Sequence, residues 1–334
     1  MMSRLDSGLV KSTPPASHEE IIAGSHFTFL LRHLFLLRVI VFFYLFLLSS
    51  CSQENNTAYA PTFGVAPPAA KGTGYLFGVH PLHNPGRLLE VYGPLMDYLN
   101  AHLDGVSFSL EASRNYADYE KKLFAGRFQF ALPNPYQTVM ALKHGYRVFG
   151  KMGDDQNFRG IILVRRDSSI KEVADLKGKA VSFPAPTALA GTMMPQYYLY
   201  AHGIDVNREI QILYVGSQES SIMNAYLGKS AAAATWPPPW MVFSREHPEI
   251  ARELKIQWQT ESLVNNGLVV RQDVPESLTA RVAKLLFALH ATAEGRAILA
   301  RMSLSRFEAA DEQTYMPVRQ FLHKFSVDVR PVEY

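Results

Sequence analysis

The chain has 334 residues and carries 33 Lys and Arg against 30 Asp and Glu, a formal net charge of +3. So small a surplus, with no basic stripe interleaved with aromatics, argues against a nucleic-acid partner. Apolar residues make up 48% and charged residues 19%, which excludes a disordered chain, and the lone cysteine, Cys51, excludes an internal disulfide and a Cys-rich metal centre.

The first candidate element is apolar. Val39 to Leu48 runs without a charge behind Arg32, His33 and Arg38, the layout of a signal-peptide core behind its basic flank. Leu48-Ser49-Ser50-Cys51 follows and resembles the bacterial lipobox, which implies cleavage before Cys51 and lipidation of its thiol. The competing reading is an uncleaved transmembrane anchor. Val39 to Ser50 is too short for the ~30 Å apolar core of a bilayer, and extending it back to Phe27 brings in two arginines and a histidine. Residues 52–74 are rich in Asn, Pro, Ala and Gly and read as a flexible tether. Residues 1–51 are thus expected to be a signal peptide with lipobox. An acylated Cys51 then holds the body at a membrane surface outside the cytoplasm.

Residues 75–81 read as a strand ending in a turn, and 88–103 as a helix with Leu89, Tyr92, Leu95, Met96 and Leu99 at helical spacing. Residues 106–113 alternate as a strand. Residues 116–127 form a helix that Gly126 closes in a left-handed cap. A strand over 128–136 runs into the Pro133-Asn134-Pro135 turn, and a helix over 138–145 ends in Gly145. Strands over 146–153 and 158–167 follow. The pattern then restarts: strand and turn over 178–186, helix over 192–203, strand over 210–216, helix over 220–229, strand over 231–236. A helix over 247–255 and a strand over 256–260 lead to a strand over 267–274, read as returning to the first unit. Helices over 275–292, 293–302 and 316–325 close the chain. Strands alternating with helices predict mostly parallel sheets covered by helices. Two such units joined by strand-like crossings, near 160–166 and 263–269, leave a cleft, and ligands bind at the carboxyl ends of strands beside helix N-termini.

Several stretches in this order carry a family likeness: FGVHP (77–81), NYADYEKKLFAGRFQFALPNPY (115–136), DSSIKEVADLKGKAVSFP (167–184), VGSQES (215–220), AEGRAIL (293–299) and DEQTYMPVRQF (311–321). Together they resemble the phosphate/phosphite/phosphonate-binding subfamily of ABC transporter lipoproteins, over about residues 75–322. The resemblance implies a two-lobe α/β fold of the periplasmic-binding-protein type II class. Lobe 1 would be 75–162 plus 266–334, and lobe 2 would be 163–265. It implies capture of a small anion by hinge closure and delivery to an ABC permease in the inner membrane, by a monomer without a cofactor. A sensor that signals to a membrane kinase or cyclase is the alternative use of the same fold. A hydrolase is a third, although the chain has no Gly-x-Ser-x-Gly elbow and no Gly-rich nucleotide loop.

Site residues carry over by position. Tyr116 stands where the family has a ligand-facing tyrosine, and His80 lies in a ligand-turn position. The phosphonate-cradling turn becomes Pro186-Thr187-Ala188-Leu189-Ala190-Gly191, which lacks the family's run of hydroxyls. The family's Ser-His turn becomes Ser217-Gln218, and its amine-binding acidic residue is replaced by Pro in Trp236-Pro237, a departure from an aminophosphonate binder. In Thr187, Ala188 and Gly191 the functional reading is an anion cradle of backbone N–H groups with Thr187 as cap. The structural one is a plain helix start. Ser217 either caps the next helix or touches ligand. Tyr116 and Tyr136 either close the cleft or pack in a core. The stretch from Trp236 to Trp240, with three prolines between the indoles, is read either as a rigid aromatic wall of the cleft, favouring a ligand with an apolar or cationic part, or as a stiff loop that shields a sheet edge. His80 and His83 are expected as polar cleft residues, with metal ligation the lesser alternative. No metal is expected.

Overall fold

The structure, a computed structural model, describes residues 72–334. Cys51, the lipobox and nearly all of the tether lie outside the described residues. The elements run β1 (Thr73–Val79), α1 (Pro85–His102), β2 (Val106–Glu111), α2 (Tyr116–Phe124), β3 (Phe130–Leu132), α3 (Pro135–Leu142), β4 (Tyr146–Met152) and β5 (Arg159–Arg165). Next come β6 (Ala180–Phe183), α4 (Met194–Ala201), β7 (Gln211–Tyr214), α5 (Gln218–Tyr226), β8 (Ala232–Thr235), α6 (Pro237–Glu246), α7 (Pro248–Ala251) and β9 (Leu254–Ser262). The last are β10 (Gly267–Arg271), α8 (Glu276–Ala288), α9 (Ala293–Arg301), β11 (Phe307–Glu308) and α10 (Met316–Asp328). Among the described residues no helix is long and apolar enough to cross a membrane.

Two sheets result, in the orders β11-β4-β10-β3-β1-β2 and β7-β6-β8-β5-β9. They are mixed rather than mostly parallel. The β–α–β stretches pair in parallel, β1 with β2 and β3, and β6 with β7 and β8. The strands at the crossings run against them: β10 lies antiparallel between β3 and β4, and β5 antiparallel between β8 and β9. A strand entering a sheet from the neighbouring lobe has no covering helix to reverse it, so it arrives in the opposite sense.

Period-two alternation sets the faces of the first sheet. Phe77, Val79, Phe130, Leu132, Leu268 and Val270 join one core with Leu88, Leu95 and Leu99 of α1 and Val282 and Leu286 of α8. Ala131 and Val269, between them in sequence, join the opposite core with Tyr119, Leu123 and Tyr146. The second sheet buries Ile162, Val164, Val181, Phe183, Ala232 and Ala234 against Met193, Met194 and Leu199. The same core takes in Val139 and Met140 of α3 and Val318, Leu322 and Phe325 of α10. The last helix therefore packs on elements of both sheets.

Two local expectations stand out. Gly126 ends α2 at φ +69°, the left-handed cap its position called for. The Trp-Pro-Pro-Pro-Trp stretch, in contrast, is no loop. Trp236 is the N-cap of α6 and Pro237, Pro238 and Pro239 are its first turn. First-turn N–H groups have no intrahelical acceptor, so prolines lose nothing there, and their fixed φ already suits the helix. The expected helix over 247–255 shrinks to the single turn of α7, because Leu254 and its successors pair with β5 as β9.

Candidate ligand cleft

Strand ends from both sheets converge on a small cavity. β1 delivers His80, β3 delivers Asn134, and β8 delivers Trp236. The loop preceding β5 brings Phe158, and the crossing before β10 brings Asn266. Tyr116 at the start of α2, Gln218 at the start of α5 and the turn 188–191 complete the lining. The space enclosed is about 10 Å³, room for the centre of one water molecule. Among the described residues no carboxylate lines it.

His80 is 2% exposed. Its Nδ1 lies 3.0 Å from the Leu132 carbonyl oxygen, so Nδ1 carries the hydrogen and Nε2 keeps a lone pair. Burial lowers its pKa to about 4, so the ring is neutral at pH 7. The Tyr116 ring meets it edge-on at 6.2 Å. Tyr116 follows the N-cap Asn115, whose side chain accepts from the Asp118 N–H, and the cap aims the tyrosine inward. The Tyr116 hydroxyl accepts from Gln218 Nε2 at 3.3 Å across the cleft. Gln218 is oriented in turn by Thr235, whose Oγ1 donates to Gln218 Oε1 at 2.8 Å.

The turn after β6 is a π-helical turn, Leu189–Met193, that runs directly into α4. Its N-cap is Ala188, with no side-chain cap bond, so Thr187 is not the cap that the sequence suggested. Thr187 instead gives its carbonyl to Asn134 Nδ2 at 3.0 Å and turns its side chain to Glu120. Among the described residues no acceptor takes the N–H groups of Leu189, Ala190 and Gly191. They form the positive end of the helix, the arrangement that binds anions. A Cβ at Gly191 would lie 2.9 Å from both Gln218 Nε2 and Oε1, so the Gln218 amide would have to move.

The expected site residues divide. His80, Tyr116, Ala188, Gly191 and Trp236 line the cavity, the last with its indole edge-on to Phe158 at 5.4 Å. Three others do not. Thr187 faces Glu120. Ser217 is the N-cap of α5, accepting from the Ser220 N–H and donating to Ser220 Oγ. Tyr136 packs in the core of the second sheet, where burial pushes its hydroxyl up to about 12. His83 lines a separate groove, and among the described residues no cluster of three or more His, Cys, Asp or Glu is arranged to hold a metal. Gln218 and Asn134, read from the sequence only as parts of their turns, also line the cavity, as do Asn266 and Phe158. Gln218 had a signal, since it follows a serine at a helix start. Asn266 had none, because its placement depends on how the crossing enters the first sheet.

The family model described as "ABC transporter, phosphonate, periplasmic substrate-binding protein" matches residues 77–315. The phosphonates-binding periplasmic protein of Escherichia coli (strain K12) is 24% identical over 166 residues, 48% of each chain. The probable ABC transporter phosphite binding protein of Prochlorococcus marinus (strain MIT 9301) is 21% identical over 185 residues, 52% of this chain and 62% of that one. The chain thus spans about half the length of the first of these relatives and under two thirds of the second. Among solved structures, a binding protein component of an ABC phosphonate transporter from Pseudomonas aeruginosa superposes with a TM-score of 0.71 at 19% identity, over 77% of this chain and 88% of that one. The Prochlorococcus marinus PhnD1 in complex with methylphosphonate gives 0.70 at 19% identity, over 76% and 98%. The two-lobe type II periplasmic-binding fold expected from the sequence is the fold observed.

Proposed function

This chain belongs to the periplasmic substrate-binding proteins of phosphonate ABC transporters, and from that premise we propose that it captures a small phosphorus oxyanion by hinge closure and delivers it to an ABC permease. The observation that carries this reading is the row of N–H groups at Leu189, Ala190 and Gly191 that find no acceptor among the described residues, in a turn lining the same cavity as the Tyr116–Gln218 contact. Backbone donors at a helix start supply what the missing hydroxyls do not. Tyr116, with its hydroxyl, and the Gln218 amide add donors from opposite lobes, and Phe158, Trp236 and Leu189 offer an apolar wall. Such a wall suits a hydrogen or a methyl on phosphorus. A cavity without a carboxylate gives an ammonium no partner, which favours phosphite or an alkylphosphonate over an aminophosphonate.

Closure follows from the same contacts. Tyr116–Gln218, Asn134–Thr187 at 3.0 Å and Arg87–Glu246 at 2.6 Å all run between elements of different sheets. The enclosed space is smaller than an oxyanion, so a ligand enters only as the lobes part and shifts the balance by its better fit to the closed form. The expected boundary at 162 falls inside β5, whose Arg159–Arg165 pair within the second sheet, so the boundaries we assign are 75–158 with 266–334 for one lobe and 159–265 for the other. We assign the lipid to Cys51, which places a monomeric body in the periplasm at a membrane surface.

A thermal-shift screen tests the reading, with phosphite, phosphate, methylphosphonate, aminoethylphosphonate and sulfate. A ligand at a hundredfold its dissociation constant adds about 2.7 kcal/mol to apparent stability. A shift with phosphite or methylphosphonate supports the proposal. Silence with every phosphorus oxyanion overturns it.

A further inference from the structure

The cavity holds a polar atom that a bare oxyanion does not answer. Asn266 lies on the crossing just before β10, lines the cavity and is fully buried. Its Nδ2 donates to Met152 Sδ at 3.3 Å. A thioether accepts and cannot donate, so this contact fixes which end of the amide is which. Oδ1 is the other end, and among the described residues it is buried with no hydrogen-bond partner. A buried acceptor normally has one. The backbone around it is held: the Asn266 N–H donates to Asn265 Oδ1 at 2.8 Å, and Asn265 Nδ2 donates to the Gly153 carbonyl at 2.7 Å. His80, in the same lining, carries a second acceptor, the lone pair of Nε2.

We infer that Asn266 selects the protonation state of the ligand. The inference rests on the oxyanion reading and deepens it: the site takes the monoprotonated phosphorus oxyanion, whose P–OH donates to Asn266 Oδ1. The N–H groups of Leu189, Ala190 and Gly191 then donate to the remaining oxygens. A fully ionised ligand has no hydrogen to give, and its oxygens would face the lone pairs of Asn266 and His80. The choice is a real one, because the second ionisation of a phosphorus oxyanion lies near neutrality, at about 6 for a phosphate monoester. A sulfonate carries no such hydrogen, so the same contact separates phosphorus from sulfur oxyanions. This is discrimination by an unpaired buried group, the kind that rejects a ligand lacking one hydrogen.

The test is calorimetry on the full chain with methylphosphonate and with methanesulfonate, its sulfur counterpart, from about pH 6 to about pH 9. The titratable groups around Asn266 and the cavity are few. Burial keeps His80 neutral and the Tyr116 and Tyr315 hydroxyls protonated. Asp155 is paired with Lys151 at 2.9 Å, and Lys151 also with Glu308 at 2.9 Å. Glu120 accepts from Gln137 at 2.9 Å, and burial raises its pKa. Methanesulfonate does not titrate in this range, so its profile reports any contribution from these groups. The expected result is a methylphosphonate dissociation constant that rises about tenfold or more across the range, as the monoanion disappears. Methanesulfonate should bind about tenfold or more weakly at pH 6 and show no such rise. In Asn266→Leu, similar in size but without the acceptor, the preference for methylphosphonate should shrink several-fold. A methylphosphonate affinity that holds or grows with pH, equal binding of the two probes, or an unchanged preference in Asn266→Leu would overturn the inference and leave the oxyanion reading standing. Silence with both probes would overturn the two together. The wild-type profiles decide the protonation state even if the variant folds poorly.

Discussion

Gln218 Nε2 donates to the Tyr116 hydroxyl at 3.3 Å, and this single bond joins the two lobes at the point where a ligand would sit. Both groups are buried, and Thr235 fixes which end of the Gln218 amide faces the tyrosine. In the proposed reading, ligand oxygens compete with this bond for the same donors, so the pair would sense occupancy as well as closure.

Tyr116→Phe removes one end of the bond and leaves the Gln218 donor without a partner in the closed form. A buried donor so stranded costs about 1–3 kcal/mol. Oxyanion affinity, measured by calorimetry, is expected to fall about tenfold or more. An unchanged affinity would show that Tyr116 merely packs.

Gly191→Ala tests the cradle from the other side. Its Cβ would press on the Gln218 amide, and overpacking of this kind costs about 1–3 kcal/mol. The penalty falls on the closed arrangement, so the expected outcome is a loss of ligand affinity of tenfold or more. Far-ultraviolet circular dichroism should be unaltered.

How much of this was legible beforehand depended on the range of the forces involved. Alternation in Phe77, Val79 and their neighbours is local, and so is the cap at Gly126, and both could be read directly. His80 and Trp236 were legible because the end of a strand fixes where the next residue points. Ser217 could be read two ways, as a cap or a ligand contact, and its hydroxyl makes the cap; Thr187 was expected to cap and does not. Backbone donors at 189–191 have no side chain to announce them. Trp236 to Trp240 looked like a loop because three prolines usually end regular structure. At the first turn of a helix they begin it.

Acid should weaken the fold through His80. Its pKa is about 4 in the folded chain against 6.5 when exposed, so the unfolded chain binds more protons between these values. The stabilisation is full above pH 6.5 and is lost as pH falls toward 4. At 1.36 kcal/mol per pKa unit the loss from His80 is about 3 kcal/mol, and His83, which burial also lowers to about 4, adds to it. Urea midpoints measured from pH 7 to pH 4 should fall accordingly, and His80→Asn should flatten the decline. A midpoint that holds steady in the wild type would contradict a neutral, buried His80.

The C-terminal segment is expected to steady the cradle. Arg330 Nη2 donates to the Pro186 carbonyl at 2.6 Å, and its guanidinium lies 5.1 Å from the Phe325 ring centre. Arg330→Ala should speed amide hydrogen exchange in residues 188–193 by several-fold while leaving the first sheet unchanged. Equal protection in both forms would remove Arg330 from the account.

The most direct measurement is a calorimetric titration of the protein with methylphosphonate, run beside Gly191→Ala. The account predicts saturable one-to-one binding to the wild type and a dissociation constant raised tenfold or more in the variant. Binding that ignores the substitution would contradict the cradle at Leu189, Ala190 and Gly191, and no binding of methylphosphonate, phosphite or phosphate by the wild type would contradict the oxyanion reading itself.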